Sequence, residues 1–205
     1  MNKIPVFKLQ SDEKTLQITT LYNENIKLIK DFFQKDWLPN SKPVILLVQS
    51  RTDYNSILQC QTPTWQVGNS NGPTIYLIDP EKIEKESDGI HKQQDFNKLL
   101  KHEMMHSYTS FYSNFVCTPS WLFEGISVCF AQQFRTEAGF NKVKILNAMT
   151  QFDGDFYGES GNFVKYLYEK YGKDRIMEMI KYSSKMKDCK SLKKIFYEIY
   201  PEEIE

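Results

Sequence analysis

The sequence predicts an α+β fold, and three observations predict it. Two short apolar runs of strand length, Val44–Val48 and 75–78, lie in the first half of the chain. From position 95 onward apolar residues recur at helical spacing, segment after segment. Strands gathered before helices give α+β rather than an alternating α/β order. The 205 residues read as one domain. Its parts are an N-terminal helical extension over 1–39, a strand-containing part over about 40–110 and a mostly helical part over about 111–205. The sheet is expected to be small, and mainly antiparallel or mixed.

Each element has its own signal. Leu21, Ile26, Leu28, Ile29, Phe32 and Phe33 mark a first helix within 16–36, and the stretch from Pro39 to Pro43 ends the pattern. The continuous apolar run from Val44 reads as a buried strand. Thr52 or Asp53 caps a short helix through Leu58. Trp65 and Val67 suggest another strand. Gly68-Asn69-Ser70-Asn71-Gly72 supplies turn chemistry before the strand at 75–78. Positions 81–94 form a charged connector, with His91 exposed in it. Asp95 caps the next helix, over 95–112, whose apolar face is Phe96, Leu99, Leu100, Met104, Tyr108 and Phe111. Further helices are expected over 119–135, 139–150, 160–171, 174–185 and 191–200. Thr118 with Pro119 opens the first of these. Gly172 closes the helix over 160–171, and Asp174 and Ser191 cap the last two.

Composition excludes several classes. Lys+Arg and Asp+Glu are equal at 26 each, which argues against nucleic acid as a partner. No apolar run has the length of a membrane span, and the first ten residues lack the apolar core of a signal peptide. The cytoplasm is the default expectation, with a secreted chain whose leader has been removed as the alternative; a monomer is expected. Cys60, Cys117, Cys129 and Cys189 are widely spaced with no C-x-x-C, so neither a zinc ribbon nor a redox motif is present. Cys129 reads as a small buried hydrophobe. A Cys60–Cys117 bridge stays open, with a reducing compartment as the default.

The chemistry concentrates in His102-Glu103-Met104-Met105-His106, an H-E-x-x-H. Positions i and i+4 share one face of a helix, so both imidazoles can reach one ion. Zinc accepts His nitrogen and carboxylate oxygen, and a catalytic site uses three protein ligands with a fourth position left for water. The only other histidine, His91, lies upstream, so a downstream ligand must be Asp or Glu. Glu124, in Trp121-Leu122-Phe123-Glu124-Gly125, is the best candidate. A lone carboxylate inside an apolar helix is costly unless paired or metal-bound, and the adjacent Gly125 implies a close packing contact. Glu103 points about 100° around the helix from His102, beside the ion, where it can act as a base. Met104 and Met105 are left to pack.

H-E-x-x-H followed by W-L-x-E-G resembles the gluzincin branch of the zinc metallopeptidases, in particular the small peptidase MA-like domains. Pro43 to Gln49 (PVILLVQ) is similar to their first core strand, and Thr74 to Asp79 (TIYLID) to the edge strand before the metal-site helix. Tyr157 to Leu167 (YGESGNFVKYL) is similar to their Tyr-led entry into a later helix, which closes with Lys170-Tyr171-Gly172. The likeness spans about 40–200. The gap from His106 to Glu124 is one residue shorter than in the large aminopeptidases with a similar W-L-x-E-G, a difference within a loop. The resemblance implies a zincin-like fold and one zinc ion per chain on His102, His106 and Glu124. It implies a peptide or protein substrate cleaved with Glu103 as general base. It implies Tyr157 as an oxyanion donor. It also supports the 74–79 strand as the place where an extended peptide is added; an interior place in the sheet is the alternative. Asp153, Asp155 and Glu159 near Tyr157 would favour basic substrate groups, or are loop carboxylates in water. Two other functions compete: a zinc amidase acting on a non-peptide bond, and a catalytically silent peptide-binding domain. The intact Glu103 argues against the silent domain, which has no need of a base.

Overall fold

The computed structural model describes residues 13–36, 42–113, 119–134, 140, 156–185 and 192–200. The fold is α+β: a small mixed sheet and a larger set of helices. Helix α1 (Glu13–Phe33) precedes β1 (Val44–Val48), α2 (Arg51–Leu58), β2 (Gly68–Asn71), β3 (Thr74–Ile78) and a one-turn α3 (Ile83–Glu86). A 3₁₀ turn (Gln93–Asp95) leads into α4 (Phe96–Ser113). The remaining helices are α5 (Ser120–Ala131), α6 (Phe156–Tyr171), α7 (Lys173–Ser183) and α8 (Leu192–Ile199). The expected helix over 139–150 lies outside the described residues except for Phe140, whose ring packs on Phe163 and Tyr166.

The sheet order is β1-β3-β2. β1 runs parallel to β3, pairing Val44 with Thr74 through Val48 with Ile78; β2 runs antiparallel, pairing Gly68 with Leu77 and Asn71 with Thr74. This corrects two expectations. The 74–79 strand is central, so its backbone is already paired on both sides and cannot take a third strand. The segment read as a turn, from Gly68, is itself the edge strand, while Trp65 and Val67 lie in the loop before it. Gly and Asn are poor strand formers, yet pairing with β3 and packing on α4 override that preference. The actual turn is Gly72-Pro73, where Gly72 at φ +59° fits a two-residue hairpin turn.

Caps shift similarly. Ser50 caps α2, not Thr52 or Asp53, because its Oγ accepts from the Asp53 amide at 3.1 Å and donates to the Asp53 carboxylate at 2.7 Å. Asp95 closes the 3₁₀ turn by accepting from the Lys92 amide, and α4 starts one residue later. Pro119 is itself the cap of α5; Thr118 and Ser191 lie outside the described residues. Gly172, at φ +79°, stands between α6 and α7 and takes the capping place expected of Asp174.

One contiguous apolar cluster joins sheet and helices. It includes Ile29 and Phe33 of α1, Ile75 and Leu77 of β3, Leu100 and Tyr108 of α4, Trp121 of α5, Phe163 of α6 and Phe196 of α8. Met104 and Met105 are buried in it, as expected. Helices α5 and α6 touch at glycines. A Cβ on Gly125 would lie 2.5 Å from the Ser160 carbonyl, and one on Gly161 would lie 2.3 Å from Val128 Cγ1. That contact gives Gly161 its place inside α6, a helix that starts at Phe156, before the expected 160. It also bears out the close-packing reading of Gly125. At the far end of the sheet Asp79 accepts from Lys14 (2.7 Å), Gln49 (2.9 Å) and the Glu81 amide (2.9 Å), anchoring α1 to the strands. Cys60 and Cys129 are free; Cys129 is only partly buried, and burial pushes its thiol up to about 11. Among the described residues no helix is long and apolar enough to cross a membrane.

Candidate metal centre

Helix α4 carries two adjacent stripes, and each meets a different neighbour. His102 and His106, one turn apart, face α5, with ring centroids 4.5 Å from each other. Helix α5 returns against α4 and delivers Glu124. Its Oε2 lies 3.5 Å from His102 Nε2 and 3.3 Å from His106 Nε2. One ligand atom from each of the three residues lies within 4.8 Å of the others, so the group can hold a metal ion. Tetrahedral ligands about 2.0–2.1 Å from zinc stand roughly 3.4 Å apart, close to both separations. The Phe123 ring stacks on His106 at 4.2 Å and walls off that side.

The polar bookkeeping also fits a cation. Glu124 is 9% exposed, and its Oε2 has no hydrogen-bond partner. A buried carboxylate oxygen that faces two imidazole nitrogens and accepts no hydrogen bond is costly without a positive charge between them. Burial works against the charged form of Glu124, yet His106 and His102 outweigh it and hold the carboxyl well below its ordinary range.

The second stripe of α4, Glu103 and Ser107, engages the β2–β3 hairpin. Ser107 Oγ donates to the Gly72 carbonyl at 2.7 Å. Gly68 passes so close to Glu103 that a Cβ there would sit 2.8 Å from Oε1. Burial pushes Glu103 up to about 7; the charge of His102 opposes this, Glu124 adds to it, and a hydrogen bond from Ser70 opposes it. Gly68 and Ser70 are two apart on a strand and so share the face that meets α4.

A cleft lies over these groups. A cavity of about 230 Å³ is lined by the metal-binding trio, Glu103, Asn69 and Ser70. A second, of about 520 Å³, extends past His102 toward Val67, Ile90, Leu99, Val128 and Phe134. Both include Trp65 and Tyr157. Tyr157 therefore reaches the site, although it sits in the first turn of α6 rather than in a turn before the helix; its ring lies 5.6 Å from Trp65. The loop before β2 is pinned from two sides. Arg51 donates to the Thr62 hydroxyl (2.9 Å) and the carbonyls of Thr64 (2.8 Å) and Glu86 (2.7 Å). His91 Nε2 lies 2.8 Å from the Trp65 carbonyl, so this histidine is half-buried structure, not an exposed connector residue.

The structure thus brings His102, His106, Glu124, Glu103 and Tyr157 to one cleft. Asp153 and Asp155 lie outside the described residues. Sequence reasoning missed Gly68 and Ser70, which it took as turn residues. It also missed Ser127, whose Oγ is 3.0 Å from His106 Nδ1. Ser127 carried a signal: it is the one hydroxyl within the apolar stretch Trp121 to Ala131. No known protein family, curated protein or solved structure matches the chain.

Proposed function

We propose that this chain is a zinc-dependent peptidase of the gluzincin kind, with zinc on His102, His106 and Glu124 and Glu103 as general base. One observation carries the reading: a His/His/Glu trio with unmet acceptor capacity stands beside a buried fourth group, Glu103, in an open cleft. Bound there, zinc would polarise a substrate carbonyl and lower the pKa of water. Two neutral imidazoles and one carboxylate leave such an ion net positive, which suits a developing oxyanion.

The chain's own groups supply the rest. Glu103, buried beside the trio, takes the proton of the attacking water and returns it to the leaving amine nitrogen. Tyr157, lining the same cleft, is the candidate second oxyanion donor. The outer edge of β2 takes the substrate backbone in extended form, in place of the strand at 74–79. The arm past His102, where Val67, Leu99 and Val128 stand beside Asp95, Lys98 and Gln133, gives room for a substrate side chain next to the scissile bond.

The test is a mixed-sequence peptide library incubated with zinc-loaded protein and with Glu103→Gln. Cleavage by the wild type, reduced about 10²–10⁴-fold in a variant that still binds zinc, is the expected result. Zinc binding without cleavage by either protein would move the reading to a silent binding domain. Turnover of non-peptide amides alone would move it to an amidase.

A further inference from the structure

We propose that Ser127 is a positioning residue that fixes the tautomer of His106. The assignment follows from counting protons. Ser127 is fully buried on α5, three residues after Glu124 and hence on the same side of the helix. A serine hydroxyl has one proton to give and lone pairs to receive. Its Oγ lies 3.1 Å from the Phe123 carbonyl and 3.0 Å from His106 Nδ1. The carbonyl can only accept. Both contacts are satisfied together in one way: Ser127 donates to Phe123 and accepts from Nδ1–H of His106. In a neutral imidazole the proton on Nδ1 leaves Nε2 bare.

The other side of the ring agrees. His106 Nε2 is 3.3 Å from Glu124 Oε2, yet that oxygen accepts no hydrogen bond. That approach lacks hydrogen-bond geometry, so a proton on Nε2 would gain only electrostatic attraction to Oε2, whereas a proton on Nδ1 gains a hydrogen-bond partner. His102 provides the contrast, because among the described residues its buried Nδ1 has no hydrogen-bond partner to hold a proton there. Of the two imidazoles, His106 is therefore the one held ready with its lone pair toward the trio. Outer partners of this sort fix ring orientation and raise ligand basicity. That consequence for zinc rests on the peptidase reading; the tautomer itself does not.

The experiment is long-range ¹H–¹⁵N spectroscopy of the three histidines in the full-length, metal-free protein, at a pH where imidazoles are neutral, on wild type, Ser127→Ala and Ser127→Thr. Wild-type His106 is expected as the Nδ1–H form. Ser127→Ala should shift it to Nε2–H or to a mixture, and Ser127→Thr, which keeps the hydroxyl, should restore the wild-type pattern. A wild-type His106 protonated on Nε2 overturns the proposal without any variant, and so does an unchanged spectrum in folded Ser127→Ala. Chelator competition then reads zinc affinity, with a roughly 10–100-fold loss expected in Ser127→Ala. A wild type with the expected tautomer that binds no zinc supports the Ser127 assignment while removing the peptidase reading.

Discussion

Asp79 and Glu124 are both carboxylates taken almost wholly out of water, 2% and 9% exposed, and the chain surrounds them differently. Asp79 receives three donors from three places: the Lys14 ammonium of α1, the Gln49 amide after β1 and the Glu81 backbone. Burial alone would raise its pKa, but those donors outweigh it and leave the group below its ordinary value. Glu124 is also held low, but its neighbours are two imidazole nitrogens, groups that favour a carboxylate only when they carry a proton or share a cation with it. A buried acid supplied with its own donors is an anchor for the fold. A buried acid supplied with other acceptors is half of a binding site. The difference lies in the partners, not in depth.

The strongest way to break this comparison is to remove each carboxylate in turn. Glu124→Ala should lose zinc by more than the roughly 10–100-fold cost of an outer partner, and turnover with it. The apo fold should survive, with some stability lost above acidic pH because the carboxyl is held low in the folded chain. Asp79→Ala should keep zinc but lose about 3 kcal/mol of stability, the low end for breaking a buried pair, because Lys14 is itself partly in water. Elemental analysis and urea midpoints read the two effects. Should Asp79→Ala lose zinc as readily as Glu124→Ala, or Glu124→Ala retain it, the division into anchor and ligand fails.

The two carboxylates also show what a sequence can reveal. Glu124 was legible because a single charge interrupts an apolar helix, and His102 and His106 because helical spacing alone puts them on one face. The bounds of α4 are legible to within one residue at each end. Asp79 carried no such mark, since its donors come from positions 14, 49 and 81 and only the tertiary fold gathers them. Gly68 to Asn71 misled for a physical reason: composition there is that of a turn, while strand pairing and the space demanded by Glu103 decide the outcome. The place of the 74–79 strand in the sheet was equally invisible, because an apolar run reads the same at an edge and at the centre of so small a sheet. Tyr157 reaches the cleft by a route the sequence hides, in a helix whose Gly161 serves a helix–helix contact.

The effect that sharpens the contrast furthest, spread over several pH units, is the pH dependence of stability in the metal-free protein. Glu103 is pushed up to about 7, chiefly by burial, while in an unfolded chain it titrates near about 4.3. Between those values the folded state keeps a proton that the unfolded state has released. Its contribution is therefore complete below about 4.3 and is lost as pH rises through about 7. Asp79 has the opposite sign: held below its ordinary value, it stabilises above about 3.9 and loses that contribution as pH falls through its folded pKa. The stability curve should thus fall away on both sides of mildly acidic pH. The alkaline limb should amount to about 4 kcal/mol at most, and Glu103→Gln should flatten it without touching the acid limb. Asp79→Asn should flatten part of the acid limb only, the remainder belonging to Glu124, which is held low as well. Urea midpoints at three pH values on wild type and both variants separate the limbs, and an alkaline limb that survives Glu103→Gln would place its origin in some other group.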